Sequence, residues 1–248
     1  MVIKVKKAPS KLILCLIIAG CAALFFTTLL TGFWADALRY TLGTAICAGI
    51  ILYTQTPGIK PFEMSGTAHR FLWMLPAVLI AVNNFPWISA VLSPPTKSPK
   101  AAQIAGSLLI CMLCALFEEI LFRRIVLSDL WKKFENTEKR ELKAVCVSSL
   151  IFGAYHLINI FFGASIPQTL LQFLYTVPIG AMLCMVYLIS GKLVFCVLIH
   201  GIYSFAGDLV SLTGIEDQWI VPEVILTAAV SLAVFVIYLG FFASKTQK

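Results

Sequence analysis

Residues 101 to 124 read AAQIAGSLLICMLCALFEEILFRR, an apolar run of helical length that closes on two acids and two arginines. About 20 mostly apolar residues suffice for one helix to cross a hydrocarbon core, so this stretch can span a membrane. Its last two turns carry Glu118, Glu119 and Arg123. An ionised side chain at mid-bilayer costs ~2.5–3.5 kcal/mol on insertion scales, so each of these groups needs a partner or a job.

The rest of the chain repeats the apolar pattern. Of 248 residues, 60% are hydrophobic and 12% charged, and the mean hydropathy is +0.92. That leaves too little polar sequence to clothe a water-soluble globule. Eight apolar segments can be drawn: Leu12 to Phe33, Tyr40 to Thr56, Phe71 to Leu92, Ala101 to Phe122, Ala144 to Phe162, Thr169 to Ser190, Leu193 to Leu212, and Ile220 to Ala243. Turn-forming residues separate them at Thr56-Pro57-Gly58, Ser93-Pro94-Pro95, Gly163 to Pro167, Ser190-Gly191 and Gly214 to Gln218. The expected fold is all-α, a single polytopic membrane helix bundle over residues 1–248 with about eight transmembrane helices.

Basic residues suggest an orientation. Lys4, Lys6, Lys7 and Lys11, the Arg123 to Lys143 connection with Lys132, Lys133, Lys139 and Arg140, and the terminal Lys245 and Lys248 all fall on one side of an even-span bundle. The positive-inside bias makes that side, with both termini, cytoplasmic; Lys97 and Lys100 fall opposite and are discordant. The net charge of +7 does not imply nucleic acid, because no basic stripe is interleaved with aromatics. The expected setting is the lipid bilayer, in the plasma membrane of a bacterium. The eight Cys read as small buried hydrophobes, including Cys111 and Cys114 inside an apolar run, with no disulfide framework or zinc ribbon. Basic residues followed by Ile18-Ala19-Gly20-Cys21 also fit a lipoprotein signal with a lipidated Cys21. The apolar run, however, continues through Ala22 to Leu30, as a retained span does.

Away from segment ends, the ionisable residues reduce to Glu118 and Glu119 in the fourth span, His156 in the fifth, and His200 and Asp208 in the seventh, with Arg123 where the fourth span closes. Glu119 and Arg123 are at i and i+4 with the acid first, the better order for an ion pair. Glu118 lies about 100° round the helix and is left without that partner. It reads either as a general base or, with Glu119 and Arg123 or Arg124, as part of a stabilising network at the membrane surface. His156 has Phe152 one turn before it and Asn159 nearly one turn after, so one helix face offers an aromatic wall and an amide. The imidazole there reads as a helix contact or as a catalyst. His200, Ser204 and Asp208 recur every four residues, beside Gly201 and Gly207, which allow close helix approach. By itself Ser204 would bond back to the carbonyl of His200. If the fourth span ends at Arg123, the fifth begins near Ala144 and the seventh near Leu193, Glu118, His156 and His200 lie roughly 8, 18 and 10 Å from the cytoplasmic ends. All three would share the inner half of the bilayer.

The motifs Glu118-Glu119-x-x-x-Arg123, Phe152-x-x-x-His156 and His200-x-x-x-Ser204 resemble, in order and spacing, the CAAX protease and bacteriocin-processing (CPBP, or Abi) family of intramembrane endopeptidases, which includes the type II CAAX prenyl endopeptidases. The resemblance covers a core at residues 101–212. It implies that Glu118 activates a water for attack on a peptide bond and that His156 helps to hold it. It further implies that His200 and the residue at 204 stabilise the oxyanion, and that Glu119 and Arg123 fix the helix bearing Glu118. The family usually has Asn where this chain has Ser204. A hydroxyl donates one hydrogen bond from a shorter side chain, and loss of one oxyanion donor can cost about 10²–10³ in rate, which Asn159 or a water would have to offset.

The substrate implied is a membrane-associated peptide or protein: a prenylated C-terminal peptide, or in bacteria a leader or signal peptide, cut near the cytoplasmic face. The competing reading is a catalytically inactive immunity or partner-binding protein on the same fold, and a third is a proton-coupled carrier. No cofactor is expected. Two His and one Glu could hold Zn²⁺, in which case Glu118, His156 and His200 would be the ligands, but H-E-x-x-H is absent and no tightly bound metal is expected.

Overall fold

The computed structural model describes residues 30–215, apart from 65 and 94, and scattered positions between 226 and 241. The elements are α1 (Phe33–Thr54), α2 (Thr67–Asn83), a short α3 (Trp87–Leu92), α4 (Ala101–Glu119), α5 (Leu127–Lys133), α6 (Arg140–Tyr155), α7 (Ile166–Ser190) and α8 (Leu193–Thr213). A π-helical turn, Ile120–Val126, joins α4 to α5, and a 3₁₀ segment, His156–Phe162, extends α6. All elements among the described residues are helical. Six stretches are long and apolar enough to cross a membrane: Phe33–Thr54, Thr67–Leu92, Ala101–Lys133, Arg140–Phe161, Ile166–Ser190 and Leu193–Thr213.

The outside of this bundle is apolar. Leu52, Val91, Phe161 and Leu174 are largely exposed, whereas Glu119 and Arg123 are fully buried. A helix that turns apolar residues outward and charge inward is solvated by lipid, so the chain is a multi-pass integral membrane protein. Helix α7 is central, with 61% of its most apolar window buried against 22–33% for the other five spans. Small residues let its neighbours close on it: a Cβ on Gly180 would meet Phe152 at 2.9 Å, and one on Gly153 would collide with Val177. Ser165 caps the start of α7 by accepting from the Gln168 N–H at 3.4 Å. The Ser190-Gly191 break ends it, because Gly191 at φ 70° adopts the left-handed conformation that closes a helix.

Successive spans alternate in direction. The Lys97 N–H donates to Thr213 O at 2.9 Å, joining the start of α4 to the end of α8, and Phe33 packs on Gly106. At the other end Phe62 N–H donates to Leu188 O at 2.8 Å and Arg70 donates to Ile189 O at 3.0 Å. One end of the bundle therefore gathers Phe33, Ala101, Phe162, Ile166 and Thr213, and the other Thr54, Thr67, Lys133, Arg140, Ser190 and Leu193.

Several expected boundaries are corrected. The fourth span does not close at Phe122: its helix continues through the π-turn to Lys133, because Arg123 is neutralised internally and does not mark a water interface. The connection expected over Arg123 to Lys143 shrinks to Phe134–Lys139. The second span begins at Phe33, ahead of Tyr40, and the third is broken at Asn84–Pro86. The segment Ile220 to Ala243 and all but the last few residues of Leu12 to Phe33, with Cys21, lie outside the described residues or fall on isolated positions.

Candidate active site

The π-helical turn begins directly after Glu119. Its wider i→i−5 bonding, with Leu127 N–H on Phe122 O, inserts a local bulge of the kind that recurs at functional sites. Around it Glu118, Glu119, Leu121, Phe122 and Arg123 are all buried, with Leu121 and Phe122 packed among Cys47 and Ile50 of α1 and Phe152 of α6.

Glu119 is the hub. Arg123 Nη1 stands 3.0 Å from Glu119 Oε1, the pair expected from i, i+4 spacing, though its N–H is not aimed along that line. The same oxygen accepts from His200 Nδ1 at 2.8 Å, across to α8. Arg123 is further tied to α7 through Nη2, which donates to Gly180 O at 3.3 Å, and its guanidinium lies 4.5 Å over the Phe152 ring. The two adjacent acids thus divide as the helical turn requires. Glu119 is consumed in a fully buried network, and Glu118 points elsewhere.

Glu118 is 6% exposed and approaches the other face of His200, with Oε2 3.8 Å from Nε2. That is too long for a direct hydrogen bond and suits one bridging water. Because a carboxylate only accepts, His200 Nδ1 must carry its proton toward Glu119, which turns Nε2 toward Glu118. His156 is set by similar logic. Its Nδ1 lies 2.9 Å from Phe152 O, a pure acceptor, so Nδ1 carries the hydrogen and Nε2 is left as the free ring nitrogen. Phe152 packs edge-on to both imidazoles, at ring-centroid distances of 5.0 Å to His156 and 5.9 Å to His200. The expected aromatic wall therefore serves two histidines and the arginine together. The 3₁₀ conformation from His156 onward stacks Asn159 above His156, since i and i+3 eclipse at three residues per turn.

Glu118, His156, Asn159, His200 and Ser204 all line one cavity of about 620 Å³. The spacing of the motifs had allowed that convergence without requiring it. A second cavity of about 250 Å³ shares His156, His200 and Ser204 but not Glu118, so the imidazoles stand between two spaces. Asp208, from the same heptad-like face as His200, instead accepts from Ser107 of α4 and lines neither cavity. Glycine allows these two helices to meet: a Cβ on Gly201 would collide with Met112.

Glu118 lies farther from the end of its helix than the roughly 8 Å expected. With the fourth helix continuing to Lys133, Glu118 stands about 22 Å from that end by helical rise. The larger cavity is lined from the opposite half, by Leu30, Gly32, Asp36, Ile158 and Gln172 among others. It opens away from the basic Phe134–Lys139 connection. Four further polar side chains escaped the sequence reading. Cys114 donates to Glu118 Oε1 at 3.6 Å and also bonds Tyr40, which closes the cavity from α1; Gln172 accepts from Asn159 at 2.8 Å; Asn84 lines the smaller cavity. Cys114, one turn before Glu118, was legible from spacing. The other three belong to helices whose approach no local pattern records. The expectation that every Cys is buried also fails at Cys146, which is exposed on the outer surface of α6.

Among the described residues no group of three or more His, Cys, Asp or Glu side chains is arranged to hold a metal ion. A family model described as Type II CAAX prenyl endopeptidase Rce1-like matches residues 100–206, a range that contains every motif position from Glu118 to Ser204. No curated protein and no solved structure matches the chain. Over residues 100–206, then, this chain matches the Rce1-like family of type II CAAX prenyl endopeptidases, in agreement with the CPBP family that its three motifs resemble.

Proposed function

We propose that this protein is an intramembrane endopeptidase that hydrolyses a peptide bond with a water activated by Glu118 and held by the two histidines. The observation that carries this reading is the shared cavity: Glu118, His156 and His200, from three separate helices, face one 620 Å³ space, with Glu118 and His200 3.8 Å apart. That gap admits one water, whose proton Glu118 accepts while its oxygen attacks the carbonyl carbon. His156 Nε2 accepts the water's other O–H and orients it. The developing oxyanion is met by Ser204 and by His200 Nε2, which donates when both ring nitrogens carry a hydrogen, Nδ1 being held by Glu119. As the C–N bond breaks, the proton on Glu118 passes to the leaving amine. The role expected for Glu119 thereby widens from bracing its own helix to orienting a residue on another.

The family match supports peptidase activity, and the choice of peptide is our inference. A cavity set among membrane helices, with Leu30, Phe117 and Ile158 beside its polar groups, suits a substrate that is itself membrane-associated: a prenylated C-terminal peptide, or a leader or other membrane peptide. Purified protein incubated with prenylated CAAX peptides and leader peptides tests this, beside Glu118→Gln and His200→Ala. Cleavage by wild type that falls at least 10²-fold in both variants is expected. Undiminished cleavage in both contradicts the proposal, and peptide binding without cleavage in wild type points to the immunity or partner-binding role instead.

A further inference from the structure

We propose that Asn84, at the C-terminal end of α2, is a catalytic residue that donates a hydrogen bond to the oxyanion, an inference that rests on the peptidase reading above. Three observations carry it. First, the smaller cavity shares His156, His200 and Ser204 with the larger one but excludes Glu118. A water held at Glu118 attacks from the larger side, and in the proposed pose the carbonyl oxygen points toward the smaller cavity. Second, Asn84 presents a carboxamide to that space. Its Nδ2 donates to Tyr203 O at 2.7 Å, and because a carbonyl only accepts, this contact fixes the amide with its NH₂ toward α8. One N–H is committed to Tyr203, which leaves a second for another acceptor in the cavity that Asn84 and Ser204 both line. Third, the amide lies against α8 close to Ser204 in sequence: a Cβ on Gly207 would stand in ordinary van der Waals contact, 3.5 Å from Asn84 Nδ2.

Two other polar side chains of the smaller cavity, Thr176 and Gln172, are less suited. The Thr176 hydroxyl is spent on Gln172 O at 2.7 Å. Gln172 also faces the Glu118 side and holds Asn159. Ser204 alone offers a single short donor, so an amide from α2 completes a pair of donors beside His200. A break after Asn83 then has a use, since the chain leaves α2 at the point where its last side chain reaches the site.

The experiment measures kcat and KM of the purified full chain on the peptides above for wild type, Asn84→Ala, Ser204→Asn and the Asn84→Ala/Ser204→Asn double variant, with detergent-solution thermal unfolding of each. Asn84→Ala is expected to lower kcat by about 10²–10³ with little change in KM. Ser204→Asn, which adds an amide one helix away, is expected to restore at least tenfold of that loss in the double variant. A merely structural Asn84, needed only for its bond to Tyr203, gives a defect that follows the loss of thermal stability and is not relieved by Ser204→Asn; that result overturns the inference, as does wild-type kcat in Asn84→Ala. Glu118→Gln run alongside separates the two levels: cleavage lost in Glu118→Gln but intact in Asn84→Ala leaves the peptidase and removes Asn84, whereas cleavage that ignores Glu118 removes both.

Discussion

Glu119 and Arg123 are among the most deeply buried side chains of the described residues, paired with each other, and Arg123 also meets Phe152 and the Gly180 carbonyl. A buried pair of this kind adds little stability by itself, but removing one partner strands the other charge at a cost of about 3–5 kcal/mol. Arg123→Met is therefore expected to lower stability by that order in detergent unfolding. Pairing it with Glu119→Leu should recover much of the loss while abolishing activity, because His200 then loses the carboxylate that orients it. Equal stability of the single and double variants would contradict this. The i, i+4 half of the network was legible in the sequence. Its other half, Glu119 to His200, joins residues 81 apart and follows only from the crossing of α4 and α8.

Two local departures from regular helix shape the site, the π-turn at Ile120–Val126 and the 3₁₀ segment at His156–Phe162. Hydropathy places helices but does not register such changes of pitch, since the residues involved are ordinary helix formers. The charges after Arg123 misled for a related reason. Arg123, Arg124, Asp129, Lys132 and Lys133 look like a loop, yet Arg123 is paired inside and the helix runs on beneath them. Packing between α6 and α7 depends on small residues, and Gly180 touches the ring that aligns both histidines. Gly180→Ala places its methyl 2.9 Å from Phe152 and 3.3 Å from the Ser149 backbone. A loss of about 1–3 kcal/mol by overpacking is expected, together with reduced turnover. Wild-type thermal stability and turnover in this variant would show that the α6–α7 contact has slack.

For the molecule as a whole, the larger cavity lies in the half that ends at Phe33, Phe162, Ile166 and Thr213, while Lys132, Lys133, Lys139 and Arg140 cluster at the other end. We infer from the positive-inside bias that the basic end is cytoplasmic, in which case the cavity opens away from the cytoplasm. Intact cells treated with a membrane-impermeant thiol reagent should then gain label at Ser98→Cys over the parent chain, and at Glu138→Cys only after permeabilisation. The reverse pattern would turn the bundle over and return cleavage to the cytoplasmic face. Six of the eight apolar segments read from hydropathy are seen as membrane-length helices, since a run of about 20 apolar residues has few alternatives in lipid. The convergence of three helices on one cavity had no such constraint behind it, and the residues that complete it from α1, α2 and α7 left no trace in spacing.

Activation of a water by Glu118 for peptide hydrolysis is tested most directly in the native membrane. Peptide termini of the membrane proteome, compared between cells carrying the wild-type chain and cells carrying Glu118→Gln at equal abundance, should reveal at least one new terminus that is present with wild type and missing in the variant. Identical sets of termini, with Glu118→Gln folded and abundant, would contradict it.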